Sequence, residues 1–428
     1  MAKLSACSNH ILAMLIVGLM CVGSAAAQHE AVLYTFVGGT DGSSPIAPLL
    51  ADHSGNLFGT TIGGGAGCEP EGCGTVFELS PSSSGGWTES VLYRFQGGTD
   101  GVFPYGSLVM DAEGNLFGTT SQGGSEDISC SFGEGGCGTV FELSPPAPGG
   151  QWTETLLYRF QGGDSDGALP MGTLVSDRAG NLFGTTQAGG RLNCGSVFEL
   201  RPSVPGGAWI ERVLHLFDCT NGANPMGQLA IDSGGNLYGA TFEGGDLTCS
   251  QNGCGAVFQM YRVNNFWKER VLHTFTGGTD GRTPQAGVIL NKNSLYGTTE
   301  LGGNNYGTAY KIDEQDGGPA ETVIYDGAPT AAPYGIFALD AAGNLYGAAS
   351  NGAFNFGEVY QLRRSANGGT TWTERTLYTF QGGADGAFPQ GLIVFKNGIY
   401  GVAEGAGDSN ACPFNFPPGC GVVFSITP

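Results

Sequence analysis

The pattern Asp-Gly-x-x-Pro recurs along this 428-residue sequence, and its carboxylates are the first groups that could do chemistry. Carboxylates brought together could bind Ca²⁺ or orient a sugar, although Ca²⁺ needs six or more oxygen ligands around one point. Asp and Gly before Pro are also ordinary turn residues, so purely structural turns are the alternative interpretation. The aspartates are Asp41, Asp100, Asp166, Asp280 and Asp385, and Asn221 occupies this position in a sixth copy.

The residues beside the prolines form a second candidate set. Aromatic rings can stack on sugars and amides can hydrogen-bond to sugar hydroxyls, so such residues around a concavity favour carbohydrate binding. The same side chains could instead fill the concavity as packing. We predict ligand contacts from Tyr105, Gln285, Tyr334 and Gln390, which follow a Pro, and from Phe103 and Phe388, which precede one.

These candidates lie at fixed places in a repeat that occurs seven times. Each unit contains a Pro-opened apolar run and then runs similar to GNLFG, TVFEL and VLYRF. Each run is short, rich in branched and aromatic residues, and bounded by Gly, Asn, Asp or Pro, which is typical of a β-strand. Asp-x-x-Gly-Asn between the first two runs predicts a tight hairpin turn. Four strands in each unit predict an all-β, seven-bladed β-propeller, with strands labelled a to d from the channel outward.

The frame of the repeat is shifted by one strand. The sequence ends at a TVFEL-like run, CGVVFSITP, whereas an additional VLYTF run at 32–36 precedes the first full unit. We therefore predict that 32–36 pairs with 421–426 and completes the last blade. This pairing would close the ring without leaving a free sheet edge.

The motifs LYTFVGGTDG, GNLFGTT and CGTVFELSP together resemble those of the GloVer tandem-repeat family of exported bacterial proteins. The resemblance covers nearly all of the chain after its first segment. It implies a propeller-like fold and a location in the cell envelope or outside the cell. It implies no activity, because the molecular function of the family is unassigned.

Ten cysteines follow the first segment, and the repeat frame predicts how they pair. Four pairs lie within single b–c loops. The other two stand at the start of a strand c and at the end of the antiparallel strand d beside it. Zinc is the competing interpretation, but it needs four converging ligands, and these pairs lie on different blades without a nearby His. The predicted disulfides are Cys68–Cys73, Cys130–Cys137, Cys194–Cys219, Cys249–Cys254 and Cys412–Cys420.

Residues 1–27 have the features of a secretory signal peptide. Lys3 precedes the apolar run 11–22, and the small residues Ala25 and Ala27 suit cleavage before Gln28. We predict a single propeller domain over 28–428, secreted to the cell exterior or the periplasm, where disulfides form. An uncleaved anchor helix is the alternative.

Charge and missing motifs limit the classes of function. The formal net charge of −21 would repel nucleic acid and anionic lipid headgroups. We expect no contact with a membrane once the signal peptide is cleaved. The sequence contains no phosphate loop, dinucleotide fingerprint or HExxH motif, and its five histidines have no inferable Ser or Cys partner. We expect no cofactor and no metal, with Ca²⁺ at the Asp-Gly loops as the one exception left open.

The sequence thus predicts a monomeric binding or scaffolding module for a polysaccharide or a protein. The ligand would contact the face where the d–a and b–c loops emerge. The alternative is a carbohydrate-active enzyme, a glycosidase or lyase, which would need two loop carboxylates about 5 Å or about 6.5–9.5 Å apart. The two functions differ in whether the Asp-Gly carboxylates converge in one pocket or turn back into their own loops.

Overall fold

The computed structural model describes residues 29–427, apart from 66, 69, 126–129, 131–134, 148–149, 205, 305, 316–317, 327–332, 351–354, 366–370, 408–411 and 413–417. The predicted signal peptide therefore lies outside the described residues. Within these residues the structure is all-β, and no helix is long and apolar enough to cross a membrane. Seven four-stranded antiparallel sheets stand around a common axis, which confirms the seven-bladed β-propeller.

In each of the first four blades, strands a to d follow one another in sequence. Blade 1 contains Leu50–Ala51, Leu57–Thr61, Thr75–Pro81 and Trp87–Arg94, and blade 2 contains Val109–Met110, Leu116–Thr120, Thr139–Ser144 and Thr153–Arg159. Blade 3 contains Val175–Ser176, Leu182–Thr186, Ser196–Pro202 and Trp209–Leu216, and blade 4 contains Ala230–Ile231, Leu237–Thr241, Ala256–Val263 and Phe266–Thr274. A short pair, Gly167–Ala168 with Ala188–Gly189, accompanies blade 3.

The last three blades have longer inner strands. Blade 5 contains Val288–Asn291, Ser294–Thr299, Thr308–Gln315 and Gly318–Asp326, and blade 6 contains Pro333–Leu339, Leu345–Ala349, Glu358–Arg364 and Trp372–Thr379. Blade 7 contains Ala387–Phe395, Gly398–Gly405, Val422–Thr427 and, as its strand d, His29–Thr35.

The a–b hairpins form as the Asp-x-x-Gly-Asn sequences predict. In blade 1, Asp52 Oδ1 accepts hydrogen bonds from the backbone N–H groups of Gly55 (2.7 Å) and Asn56 (2.8 Å). Asn56 Nδ2 also donates to Asp52 Oδ2 (2.9 Å). Gly55 has a φ of 100°, a backbone conformation that favours glycine. The same Asp-to-Asn contacts close the turns at Asp111, Asp177, Asp232 and Asp340.

The hydrophobic core lies between adjacent blades. Phe95, which follows strand d of blade 1, packs edge-on against Phe141 of blade 2, with ring centroids 5.2 Å apart. Gly118 in strand b leaves room for this ring, since a Cβ there would lie 2.5 Å from Phe141. An aromatic pair therefore joins each blade to the next. The other boundaries contain Phe36–Phe77, Phe160–Phe198, Phe217–Phe258, Phe275–Tyr310, Tyr325–Tyr360 and Phe380–Phe424.

A strand from the beginning of the described chain closes the ring. His29–Thr35 pairs in antiparallel orientation with Val422–Thr427, which is strand c of blade 7. Phe36 directly follows this closing strand and is fully buried, and its N–H donates to the carbonyl of Gly421 (3.0 Å). The prediction that the first run completes the last blade is confirmed. Strand c of blade 7 consequently has no free edge.

The five predicted disulfides are all present in the structure. Four lie within single b–c loops and join cysteines five to eight positions apart. The fifth, Cys194–Cys219, joins residues 25 positions apart, with 5.5 Å between their Cα atoms. It links the start of strand c to the end of strand d in blade 3, because these antiparallel strands bring those ends together.

Candidate functional site

A cavity of about 180 Å³ lies on the propeller axis. It is formed by the segments that follow the prolines, which all seven blades bring to the channel. Three of the predicted ligand-contacting residues, Tyr105, Gln285 and Gln390, therefore meet in one place. Tyr334 is the second residue of strand a in blade 6, and its side chain lies outside the described residues. Every blade contributes at least one larger lining residue, and these are Ile46, Tyr105, Met171, Met226, Gln228, Gln285, Ile336 and Gln390.

Glycines and threonines fix the positions of these lining segments. A Cβ on Gly172 would lie 2.5 Å from the carbonyl oxygen of Gly227 in the next blade, so glycine permits this close approach. The hydroxyls of Thr60 and Thr119, in strand b, donate to the carbonyls of Gly106 (3.2 Å) and Gly172 (3.4 Å) in the following blade. With the equivalent contacts of Thr185 and Thr298, they tie four pairs of adjacent blades together beside the cavity.

One side of the axial cavity is polar. Gln390 Nε2 donates to Oε2 of Glu404 (2.8 Å), in strand b of the same blade. Burial raises the pKa of Glu404, although the hydrogen bond from Gln390 opposes this shift. Burial also raises the pKa of Tyr105, and the Glu404 carboxylate adds to that effect. Sequence reasoning missed Glu404. The sequence signal for it is a charged residue at the position where blade 1 has the apolar Ile62.

Another side of the cavity is apolar. Met171 and Met226 come from the adjacent blades 3 and 4. Beside them, Gln285 of blade 5 has its Oε1 atom buried without a hydrogen-bond partner among the described residues. An unpaired carbonyl oxygen in a cavity can accept a hydrogen bond from a ligand hydroxyl. The cavity thus combines an apolar wall, a phenol and the amides of Gln228, Gln285 and Gln390, a composition suited to a sugar ring.

Phe103 and Phe388 are not among the residues that line this cavity. Both have positive φ angles, 58° and 57°, which are uncommon for bulky side chains. The N–H of Phe103 donates to the carbonyl of Cys73 (2.9 Å), and that of Phe388 donates to the carbonyl of Phe356 (2.7 Å). These hydrogen bonds anchor the chain against the neighbouring b–c loop just before each Pro.

The aspartates of the Asp-Gly loops turn back into their own loops. Asp41 accepts hydrogen bonds from the N–H of Val37 (2.8 Å) and from the hydroxyl of Tyr34 (2.9 Å). None of the five aspartates lines the axial cavity, and no three potential metal ligands converge within the described residues. Hydrogen bonds from the preceding strand or loop likewise hold Asp100, Asp166, Asp280 and Asp385.

The Asp-Gly loops also face a glutamate of the next blade, which sequence reasoning missed. Burial raises the pKa of Glu89, in strand d of blade 1, to about 7, and the Asp41 carboxylate adds to this shift. Burial and Asp100 raise the pKa of Glu154 in blade 2 to about 7. Such a carboxyl group exchanges its proton near neutral pH. The arrangement recurs at Glu30, Glu211 and Glu321, and all five glutamates have a buried Oε1 without a described partner.

The fold and the repeat define a disulfide-containing, seven-bladed tandem-repeat propeller. The family model of the Gloeobacter/Verrucomicrobia repeat matches residues 128–263 and 205–414, which together make up more than half of the chain. The chain therefore belongs to this repeat family. The resemblance inferred from the motifs is confirmed.

Two solved structures illustrate how distant the other similarities are. A protein of unknown function from Dyadobacter fermentans is 10% identical, with 94% of this chain and 99% of that chain covered and a TM-score of 0.47. A gluconolactonase from Xanthomonas campestris is 14% identical, with 75% and 86% covered and a TM-score of 0.40. A search of curated proteins found no match. These distant similarities carry no argument about function.

Proposed function

We propose that this protein is an exported binding module whose axial cavity holds the end of a polysaccharide. The observation that carries the proposal is the convergence of Tyr105, Gln285 and Gln390 with two methionines around one cavity. Seven blades contribute to the lining, so every position around the ligand can differ in chemistry although the repeat is regular. Such variation on a rigid scaffold suits recognition.

The size of the cavity favours one terminal group over a threaded chain. A volume of about 180 Å³ equals the share of about six waters in the liquid. A single ring could place its C–H face on Met171 and Met226. Its hydroxyls could then donate to the unpaired Oε1 of Gln285 and accept from the Gln390 amide.

The disulfides support the exported location. Five disulfides persist in oxidising compartments and are rare in reducing ones, so they favour the periplasm or the cell exterior. We propose that the chain acts there as a monomer without a cofactor. The alternative of a glycosidase or lyase gains no support from the loop aspartates, because each accepts hydrogen bonds from its own blade.

Titration of purified protein with short oligosaccharides from a polysaccharide panel, followed by calorimetry and melting temperature, tests this proposal. A ligand of the folded state raises the melting temperature by mass action. We expect one glycan to bind and Gln285→Ala to weaken it about tenfold, because the variant removes a buried hydrogen-bonding group. Gln161→Ala is the matched control, since this exposed amide lies in a d–a loop outside the cavity.

Two results would contradict the proposal. If no glycan binds while a protein or peptide does, and Gln285→Ala weakens that complex, the ligand class is wrong and the site is right. If a glycan binds equally well to Gln285→Ala and to Gln161→Ala, the axial cavity is not its site.

A further inference from the structure

Tryptophans close most boundaries between blades. Trp267, in strand d of blade 4, packs edge-on against Phe183 in strand b of blade 3, with ring centroids 6.1 Å apart. Blade 5 has no Trp at this position, because its strand d begins with Gly318 and Pro319. The side chain that would cover Tyr238 of blade 4 is therefore missing. Equivalent Trp contacts with the preceding blade are made by Trp87, Trp209 and Trp372.

A cavity of about 510 Å³ occupies the boundary between blades 4 and 5, where the Trp is missing. We call it the blade 4–5 groove. Its floor consists of buried leucine and isoleucine side chains. Its walls are polar and carry Tyr238, Gln259 and Arg270 from blade 4 and Lys292 and Glu314 from blade 5. An apolar floor below polar walls matches the two faces of a sugar ring.

A chain of hydrogen bonds holds the polar wall in place. The hydroxyl of Tyr238 donates to Asp232 Oδ2 (3.0 Å) and accepts from Gln259 Nε2 (2.9 Å). Arg270 Nη2 donates to Gln259 Oε1 (2.8 Å) and to the carboxylate of Glu314 across the groove. The guanidinium is thus fixed on both sides before any ligand arrives, which lowers the entropy cost of binding.

Two cationic side chains in the groove have hydrogen-bonding or ion-pairing capacity that the described residues do not use. Arg270 Nε is buried and has no hydrogen-bond partner among the described residues. Lys292 has no described carboxylate within 4 Å. Ten of the 17 lysines and arginines of this acidic chain lie from Arg178 to Lys311, a range that covers blade 4 and strands a and b of blade 5. The groove lining holds these two cations and the carboxylates of Asp232 and Glu314, so it is formally neutral and repels an anion less than the rest of this strongly negative protein.

Tyr238, Gln259 and Arg270 lie side by side on strands b, c and d, and a row of the same residue types occurs at a second boundary without a Trp. Tyr346, Gln361 and Arg375 occupy the same register in blade 6. The next strand d, which begins at His29, also lacks a Trp. Blades 1 to 3 are followed by a blade with a Trp, and they have Phe and Glu instead of Tyr and Gln. Blades 5 and 7 have Tyr296 and Tyr400 beneath a Trp, with Lys311 and Ser425 in place of Gln. Gln in strand c is thus the residue that accompanies the missing Trp in both places, as expected if its amide helps to form a surface for a ligand.

We propose that the blade 4–5 groove binds a carboxylated sugar of one or two rings. The Arg270 guanidinium and Lys292 hold the carboxylate, since charge-assisted hydrogen bonds are the strongest available to such a group. Tyr238 and Gln259 face the ring hydroxyls, and the apolar floor contacts the ring. This site is separate from the axial cavity and independent of the function proposed for that cavity.

Calorimetric titration with three probes tests the groove: D-glucuronate, D-glucose and acetate. The measurements use the Arg375→Met background, so that the row of blade 6 does not contribute. We expect glucuronate to bind about tenfold or more tightly than glucose, which lacks the carboxylate, and than acetate, which lacks the ring. Arg270→Met should weaken glucuronate binding by about tenfold or more, with a smaller loss in Lys292→Gln.

The control is Arg212→Met in the same background. Arg212 occupies the same register in blade 3, but Trp267 covers strand b at that boundary. Lys292 is exposed, so its variant keeps the test valid if Arg270→Met fails to fold. The proposal would be overturned if glucuronate did not bind, or if glucose or acetate bound with equal affinity. Full affinity for glucuronate in a folded Arg270→Met or Lys292→Gln variant would also overturn it.

Discussion

Replacing Glu89 with Gln should stabilise the propeller at pH 8 and change its stability little at pH 5. In the folded state Glu89 is half-buried and faces the Asp41 carboxylate, so its ionised form is disfavoured. Gln has nearly the same shape as the protonated acid and does not ionise. The substitution therefore removes a charge penalty that exists only at higher pH.

The expected magnitude follows from the pKa. The pKa of Glu89 rises from an ordinary 4.5 to about 7, and one pKa unit corresponds to about 1.4 kcal/mol. For a fully buried group, ionisation would cost about 3.4 kcal/mol. Because Glu89 is only half-buried, solvent screening reduces this to about 1–2 kcal/mol. The folded state binds the Glu89 proton more tightly than the unfolded state does. The contribution of this group to the free energy of unfolding is therefore fully present below pH 4.5 and is lost as the pH rises through about 7.

Thermal melts at pH 5, 6, 7 and 8 and constant ionic strength measure this effect. For a chain of this length, each kcal/mol added to the free energy of unfolding should raise the melting temperature by about 1–2 °C. When Glu89, Glu154 and Glu211 are all replaced with Gln, the three gains in stability should be nearly additive, since the residues lie at separate blade boundaries. Glu113→Gln, at an exposed turn, is the control. The reasoning would be refuted if Glu89→Gln changed the melting temperature equally at pH 5 and pH 8, or if it lowered the melting temperature at pH 8.

Two further predictions concern ring closure and the disulfides. Phe36→Ala should cost about 3–5 kcal/mol, because it empties a fully buried site beside the closing strand. An unchanged urea midpoint would show that this strand does not hold the ring. Replacing Cys194 and Cys219 with Ala should cost about 3.5 kcal/mol, against about 2.2 for Cys68 and Cys73, because the longer loop loses more closure entropy. Equal losses in thermal melts would contradict this loop-length argument.

Much of the architecture could be predicted from the sequence because it depends on short-range signals that occur seven times. Asp52 and Asn56 close their hairpin through contacts within five residues. The shifted frame of the repeat identified the closing strand. The first run is a strand d without a unit before it, and the final strand c is the one copy with no strand d after it, so the two must pair. The repeat frame also paired Cys194 with Cys219, because antiparallel neighbours bring opposite ends together.

The convergence of Tyr105, Gln285 and Gln390 was predictable in outline from their position after a Pro. Their partners were not. Glu404 contacts Gln390 from another strand, and whether that contact exists depends on side-chain direction and burial. Phe103 and Phe388 stand one residue before their prolines, have positive φ angles and do not line the cavity.

The sequence by itself determined the strands, the hairpins, the order of the blades and the closure of the ring. Local backbone preferences and one strongly repeated hydrophobic pattern are enough for these features. Only the tertiary structure decided what happens between blades: the approach of Glu89 to Asp41, and the groove in which Arg270 meets Glu314. These contacts join residues from different repeats, so their energies depend on the packing and electrostatics of the assembled ring, which no single repeat encodes.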